Sequence, residues 1–148
     1  MTKLEIRNSK FVGTSPAAKS QVRDFTDLQV WQLARELRKL VYGPIRNFPN
    51  EEKFALSAQL RRAAVSITAN IAEGFGRYSF QENIQFCRLA RGSAFEVRDH
   101  LITSLDQGYL TAEQYRDADS LSQRVIQTLN GYVRSTKARQ AEKAQLKD

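Results

Sequence analysis

The sequence predicts an all-α protein: an antiparallel, up-down-up-down bundle of four helices that associates with copies of itself. Three observations lead there. Apolar residues recur at helical spacing in four successive stretches. Capping pairs and turns bearing glycine or proline separate those stretches. One stretch, Asn50 to Gly74, is apolar on two opposite sides, and a bundle core can use only one of them.

At 148 residues the chain is one domain long, enough to bury a core without disulfides. The single cysteine, Cys87, excludes an intramolecular disulfide and fits a reducing, cytoplasmic setting. Met1 to Lys10 has no apolar segment of the signal-peptide kind, being interrupted by Glu5 and Arg7. No apolar run nears the ~20 residues that span a bilayer, so no membrane partner is expected. The net charge is +7 and unevenly spread. Residues 1–23 carry five basic side chains against Glu5 alone, whereas residues 24–148 carry 18 basic and 15 acidic ones. This divides the chain into a flexible basic arm (1–23), a helical bundle (24–136) and a charged tail (137–148). A basic balance invites RNA, DNA or an acidic surface as partner.

The first helix is expected to open near Thr26, whose hydroxyl stands three residues before Gln29. Val30, Ala34, Leu37, Val41 and Ile45 form its apolar stripe. Gly43-Pro44 should end or kink it near Tyr42, because proline removes one backbone bond and crowds the preceding turn. Asn50 caps the second helix, Glu51 and Glu52 suit its dipole, and Gly74 and Gly76 stop it. Its inner face is Leu56, Leu60, Ala63, Ala64, Ile67 and Ile71. Its outer face is Phe54, Ala58, Val65, Ala69 and Ala72, rich in small residues that let another helix backbone approach.

Ser79 with Glu82 opens the third helix, which runs to Gln107 and stops at Gly108. Phe86, Cys87, Ala90, Ala94, Val97, Leu101 and Leu105 are its core stripe, and Ile84, Phe95 and Ile102 a second ridge. Thr111 with Gln114 opens the fourth, whose core is Ala118, Leu121, Val125, Leu129 and Tyr132 or Val133. From Arg134 the chain is expected to fray. The oligomer-interface candidates are therefore the outer face of the second helix together with Ile84, Phe95 and Ile102.

Catalytic chemistry has little to work with, and no cofactor or metal is expected. His100 is the only histidine, and Glu-x-x-His spacing of the di-iron kind is missing. Cys87 falls on a core stripe, where a thiol is inert. Gly74-Phe75-Gly76 lacks the Gly-Lys-Ser/Thr ending of a phosphate loop. A polar line of Gln59, Ser66, Asn70 and Glu73 runs between the two apolar faces of the second helix and is read as structural. Arg61, Arg62, Arg77, Arg88, Arg91 and Arg98 are the candidates for nucleic-acid contact. Arginine forks suit phosphate and carboxylate alike, and spacing alone does not separate the two uses.

Asp27-Leu28-Gln29-Val30-Trp31-Gln32, the run Gln59 to Ile67, Ala69-Asn70-Ile71-Ala72-Glu73-Gly74, and Gly76-Arg77 resemble the small four-helix-bundle family encoded in 23S rRNA intervening sequences. Ala90, Gly92-Ser93 and Glu96 match its later segment. The resemblance covers about residues 25–133. Thr68 stands where the family usually has proline, which should leave this helix straighter, and Arg98-Asp99 also departs from the usual pair. The resemblance implies a ring-like homopentamer. The family is also similar to accessory proteins of diversity-generating retroelements, basic bundles that bind nucleic acid and a reverse transcriptase. It assigns no catalytic residues. Two functional expectations follow: a non-enzymatic oligomer binding nucleic acid through repeated basic patches, or a scaffold that binds another protein without touching nucleic acid.

Overall fold

Backbone donors and acceptors at helix ends must find partners, and those partners decide where each element starts. The structure is a computed structural model that describes residues 21–147; the expected arm lies, apart from residues 21–23, outside them. Asp27 accepts the backbone N–H groups of Arg23 and Asp24, both at 3.0 Å, and these donors hold its carboxyl below the ordinary value. They fix a short 3₁₀ turn, Phe25–Asp27, before helix α1 (Gln29–Ile45) begins. Thr26 is not the cap; its hydroxyl donates to Asp24 instead.

Helix α1 runs through Gly43-Pro44 to Ile45. Continuing buries Ile45 and leads to the buried Phe48. Burying one such side chain is worth about 1.5–3 kcal/mol, against about 1 kcal/mol for a lost backbone bond. The proline therefore sits in the last turn, where fewest bonds depend on it.

Helix α2 (Leu56–Phe75) starts later than Asn50. Asn50–Glu52 is a separate 3₁₀ turn, and the Glu52 carboxylate caps α2 by accepting from the Leu56 N–H at 3.1 Å. The same carboxylate accepts from the Tyr109 hydroxyl at 3.3 Å, tying this start to the turn that bears Tyr109. Burial, then the Glu52 charge, push that phenol above its ordinary pKa. Helix α3 (Phe80–Asp106) has the expected Ser79 cap, which accepts from the Glu82 N–H at 3.1 Å. It gives way to Gly108 in the left-handed region, φ 74°. Helix α4 (Ala112–Gln145) opens on the reciprocal Thr111–Gln114 box. It does not fray at Arg134. Ala, Lys, Arg, Gln and Glu dominate residues 137–145, all strong helix formers, and Thr136 is buried with its hydroxyl on the Tyr132 carbonyl. The tail expected from residue 137 is therefore helix.

The described residues are all-α, with four α-helices and no strand. Each helix packs on its two neighbours in the cycle α1–α2–α3–α4, and the backbones of the diagonal pairs stay more than 8 Å apart from Cα to Cα. The core stripes of α1 and α2 close on Cys87, Ala90, Ala94, Val97 and Leu101 of α3, and Val125 and Leu129 of α4 complete the set.

Candidate functional site

The outer face of α2 is open in the single chain. Val65 is 40% exposed, Ala69 is exposed, and Ala58 and Ala72 are half-buried. Phe54 is 88% exposed but lies in the turn before α2, off the helical face that sequence spacing assigned it. Val65 joins Arg38, Lys39 and Tyr42 in a shallow groove between α1 and α2. Arg38 is held there by the Thr68 hydroxyl at 2.9 Å, and that hydroxyl donates to the Val65 carbonyl at 3.0 Å.

The polar line on α2 divides. Ser66 and Asn70 are a pair: the Asn70 amide donates to the Ser66 carbonyl at 2.8 Å and to its hydroxyl at 3.0 Å. Ser93 of α3 donates to the same hydroxyl at 2.9 Å, linking the two helices. Gln59 and Glu73 serve arginines instead. Arg62 reaches Gln59 at 3.4 Å, and Arg77 pairs with Glu73 at 2.8 Å while lying over the Phe86 ring at 5.0 Å. Gly74 is no helix stop. It lies within α2, where an added Cβ would meet Phe86 Cβ at 2.8 Å and the Asn83 side-chain oxygen at 3.0 Å. The missing side chain sets how closely α2 and α3 approach.

The remaining arginines behave unequally. Arg98 forms a half-buried ion pair with Asp119 of α4 at 2.8 Å, and the Gln123 amide donates to the other Asp119 oxygen at 2.8 Å. Arg91 donates to Asn130 of α4 at 3.1 Å. Arg61 reaches only the Lys53 carbonyl, at 3.3 Å. Arg88 has no side-chain hydrogen bond or ion pair among the described residues. On the same side of α3, Phe95 and Ile102 are 46% and 44% exposed, whereas Ile84 is 5% exposed. Ile84 is thus covered by its own chain and leaves the set of interface candidates. The basic residues Lys137, Arg139 and Lys143 were missed by sequence reasoning because their stretch was read as a tail. Arg139 and Lys143 lie over the Phe80 ring at 5.9 and 5.7 Å.

The model of the family described as 23S rRNA-intervening sequence protein matches residues 26–131. The chain belongs to this family. A solved member of the S23 ribosomal protein family from Bacteroides thetaiotaomicron, a protein of unknown function, is 27% identical over 70% of this chain and 97% of its own, with a TM-score of 0.65. No curated protein matches. The family match ends inside α4, so the last turns of that helix lie beyond it.

Neither the family's description nor the solved neighbour indicates an enzyme class. Burial pushes the Cys87 thiol up to about 11, which keeps it neutral and unreactive at ordinary pH. The His100 ring lies 3.3 Å from Glu96 and 3.8 Å from Asp99 on its own helix. Among the described residues no cluster of His, Cys, Asp and Glu could hold a metal, and no helix is long and apolar enough to cross a membrane.

Proposed function

We propose that this family member is a non-enzymatic, up-down-up-down bundle that assembles as a ring-like homopentamer and binds nucleic acid through phosphate contacts. The observation that carries the binding half is a net positive charge whose cations are mostly free of close ion pairs. Among the described residues only Lys39, Arg77 and Arg98, of all lysines and arginines, lie within 4.0 Å of a carboxylate. Surface cations without local anions attract a polyanion, and copies arranged in a ring convert weak contacts into avidity. Arg61, Arg62 and Arg88 remain the phosphate candidates on the matched part of the chain. Arg77, Arg91 and Arg98 are already engaged within it, and their first task is to join helices. Contacts of this kind ignore sequence and weaken steeply with salt. Retention of structured RNA and duplex DNA on a filter at low salt, absent at physiological salt, is the expected result. No retention at low salt overturns the binding reading.

The assembly half rests on the small, uncovered outer face of α2. Val65→Glu would place a carboxylate where a second copy packs, and an unpaired buried charge costs several kcal/mol. The expected outcome is a smaller particle in sedimentation with unchanged helix content. An unchanged mass removes Val65 from the interface. A second reading, a scaffold for another protein, draws on the exposed Phe95 and Ile102 beside the α3–α4 seam. Recovery of one protein without nucleic acid from the native host would favour it.

A further inference from the structure

The early turns of α3 and the last turns of α4 enclose a groove. Its larger part, about 770 Å³, is lined by Gln81, Gln85, Arg88, Lys137 and Gln140 over Ile84. It continues through Gln81 and Gln140, common to both parts, into a hollow of about 400 Å³ bounded by Tyr78, Phe80, Lys143 and Lys147. Lys137, Lys143 and Lys147 place positive charge along the α4 wall, with the neutral Gln140 and Ala144 between them. The acid in the lining, Glu82, is occupied: it accepts from the Ser79 hydroxyl at 3.0 Å and lies 4.0 Å from Arg77. Tyr78 stands fully exposed at the mouth.

With Arg88, Lys137, Lys143 and Lys147 against the single acid Glu82, the lining is net positive and attracts a polyanion. The glutamine amides add neutral donors, and an exposed aromatic ring offers a face on which an unpaired base can stack. A duplex keeps its base faces stacked inside and cannot use that ring. Resting on the nucleic-acid reading above, we infer that this groove holds a single strand, with phosphates against Arg88, Lys137, Lys143 and Lys147 and a base stacked on Tyr78. The groove depends on the part of α4 beyond residue 131, where the family match ends.

Fluorescence anisotropy with a labelled oligouridylate of about 20 nucleotides, and with a duplex of the same length, tests this across salt concentrations. In the full chain, K137Q/K143Q/K147Q changes only exposed side chains, so helix content should hold. The variant should bind the single strand about tenfold or more weakly at low salt. The slope of log affinity against log salt should fall by about 2, at roughly 0.7 for each phosphate no longer neutralised. Tyr78→Ala should weaken single-strand binding about tenfold and leave duplex binding unchanged. K137R/K143R/K147R should bind like the unaltered chain. An unaltered chain that binds while the glutamine variant keeps its affinity and slope overturns the groove but leaves the nucleic-acid reading standing. An unaltered chain that binds neither probe at low salt removes both.

Discussion

The contact between α2 and α3 and the far end of α4 are opposite uses of a helix. In the first, Gly74 has no room for a Cβ and Ser66 shares one hydroxyl between Asn70 and Ser93. In the second, Lys137, Arg139, Gln140 and Lys143 are exposed, and two of them lie over the edge ring Phe80. Close packing with satisfied polar groups specifies one geometry. An exposed, charged rod specifies none, and is free to be selected by a partner. The family match covers the first region in full and stops before the basic part of the second.

Gly74→Val should break the contrast most strongly. Branched atoms would be forced against Phe86 and Asn83, costing about 3 kcal/mol in chemical denaturation. Gly92→Ala on α3 is the control: an added Cβ there meets nothing within 4 Å, and the gain in helix propensity should stabilise by about 0.5–1 kcal/mol. A Gly74 variant as stable as the native chain would show that α2 and α3 can part freely.

Thiol chemistry sharpens the comparison next. Cys87 and a thiol placed on the α4 end by Lys143→Cys should differ in alkylation rate at pH 8 by about 100-fold or more, because one is buried and neutral and the other ordinary. A thiol raised from 9.0 to about 11 favours the folded state fully below the unfolded value and loses that contribution as pH rises between the two. Equal reaction rates would show α3 opening readily.

Ser66→Ala should cost only about 1 kcal/mol, since Asn70 keeps the backbone carbonyl at position 66 and Ser93 is left without its acceptor. Unchanged stability on denaturation would mean that the interhelical bond contributes nothing.

Much of the bundle was legible because helical periodicity is strong where a face is buried. Val30, Ala34, Leu37, Val41 and Ile45 are all buried as their spacing requires. The Ser79 and Thr111 caps also read correctly, because the partner stands three residues on. The errors have linked causes. Starting α2 at Asn50 placed Phe54 on a helical face, since a glutamate cap four residues before the first free N–H is not the usual capping pattern. Ending α4 at Arg134 left Ile84 without a cover and turned a buried residue into an apparent interface ridge. Helix propensity through residues 137–145 was there to correct both, but charge was read as fraying. Of the candidate site, the arginines were visible and their partners were not. Asp119 and Asn130 lie 21 and 39 residues from Arg98 and Arg91, and only packing brings them together.

Sedimentation velocity of the intact chain with a labelled single strand, followed at both protein and dye wavelengths as salt is raised, tests the account most directly. It predicts a particle larger than one chain that carries the strand at low salt and sheds it at higher salt while remaining assembled. A folded single chain that leaves the strand behind at every salt concentration would contradict it.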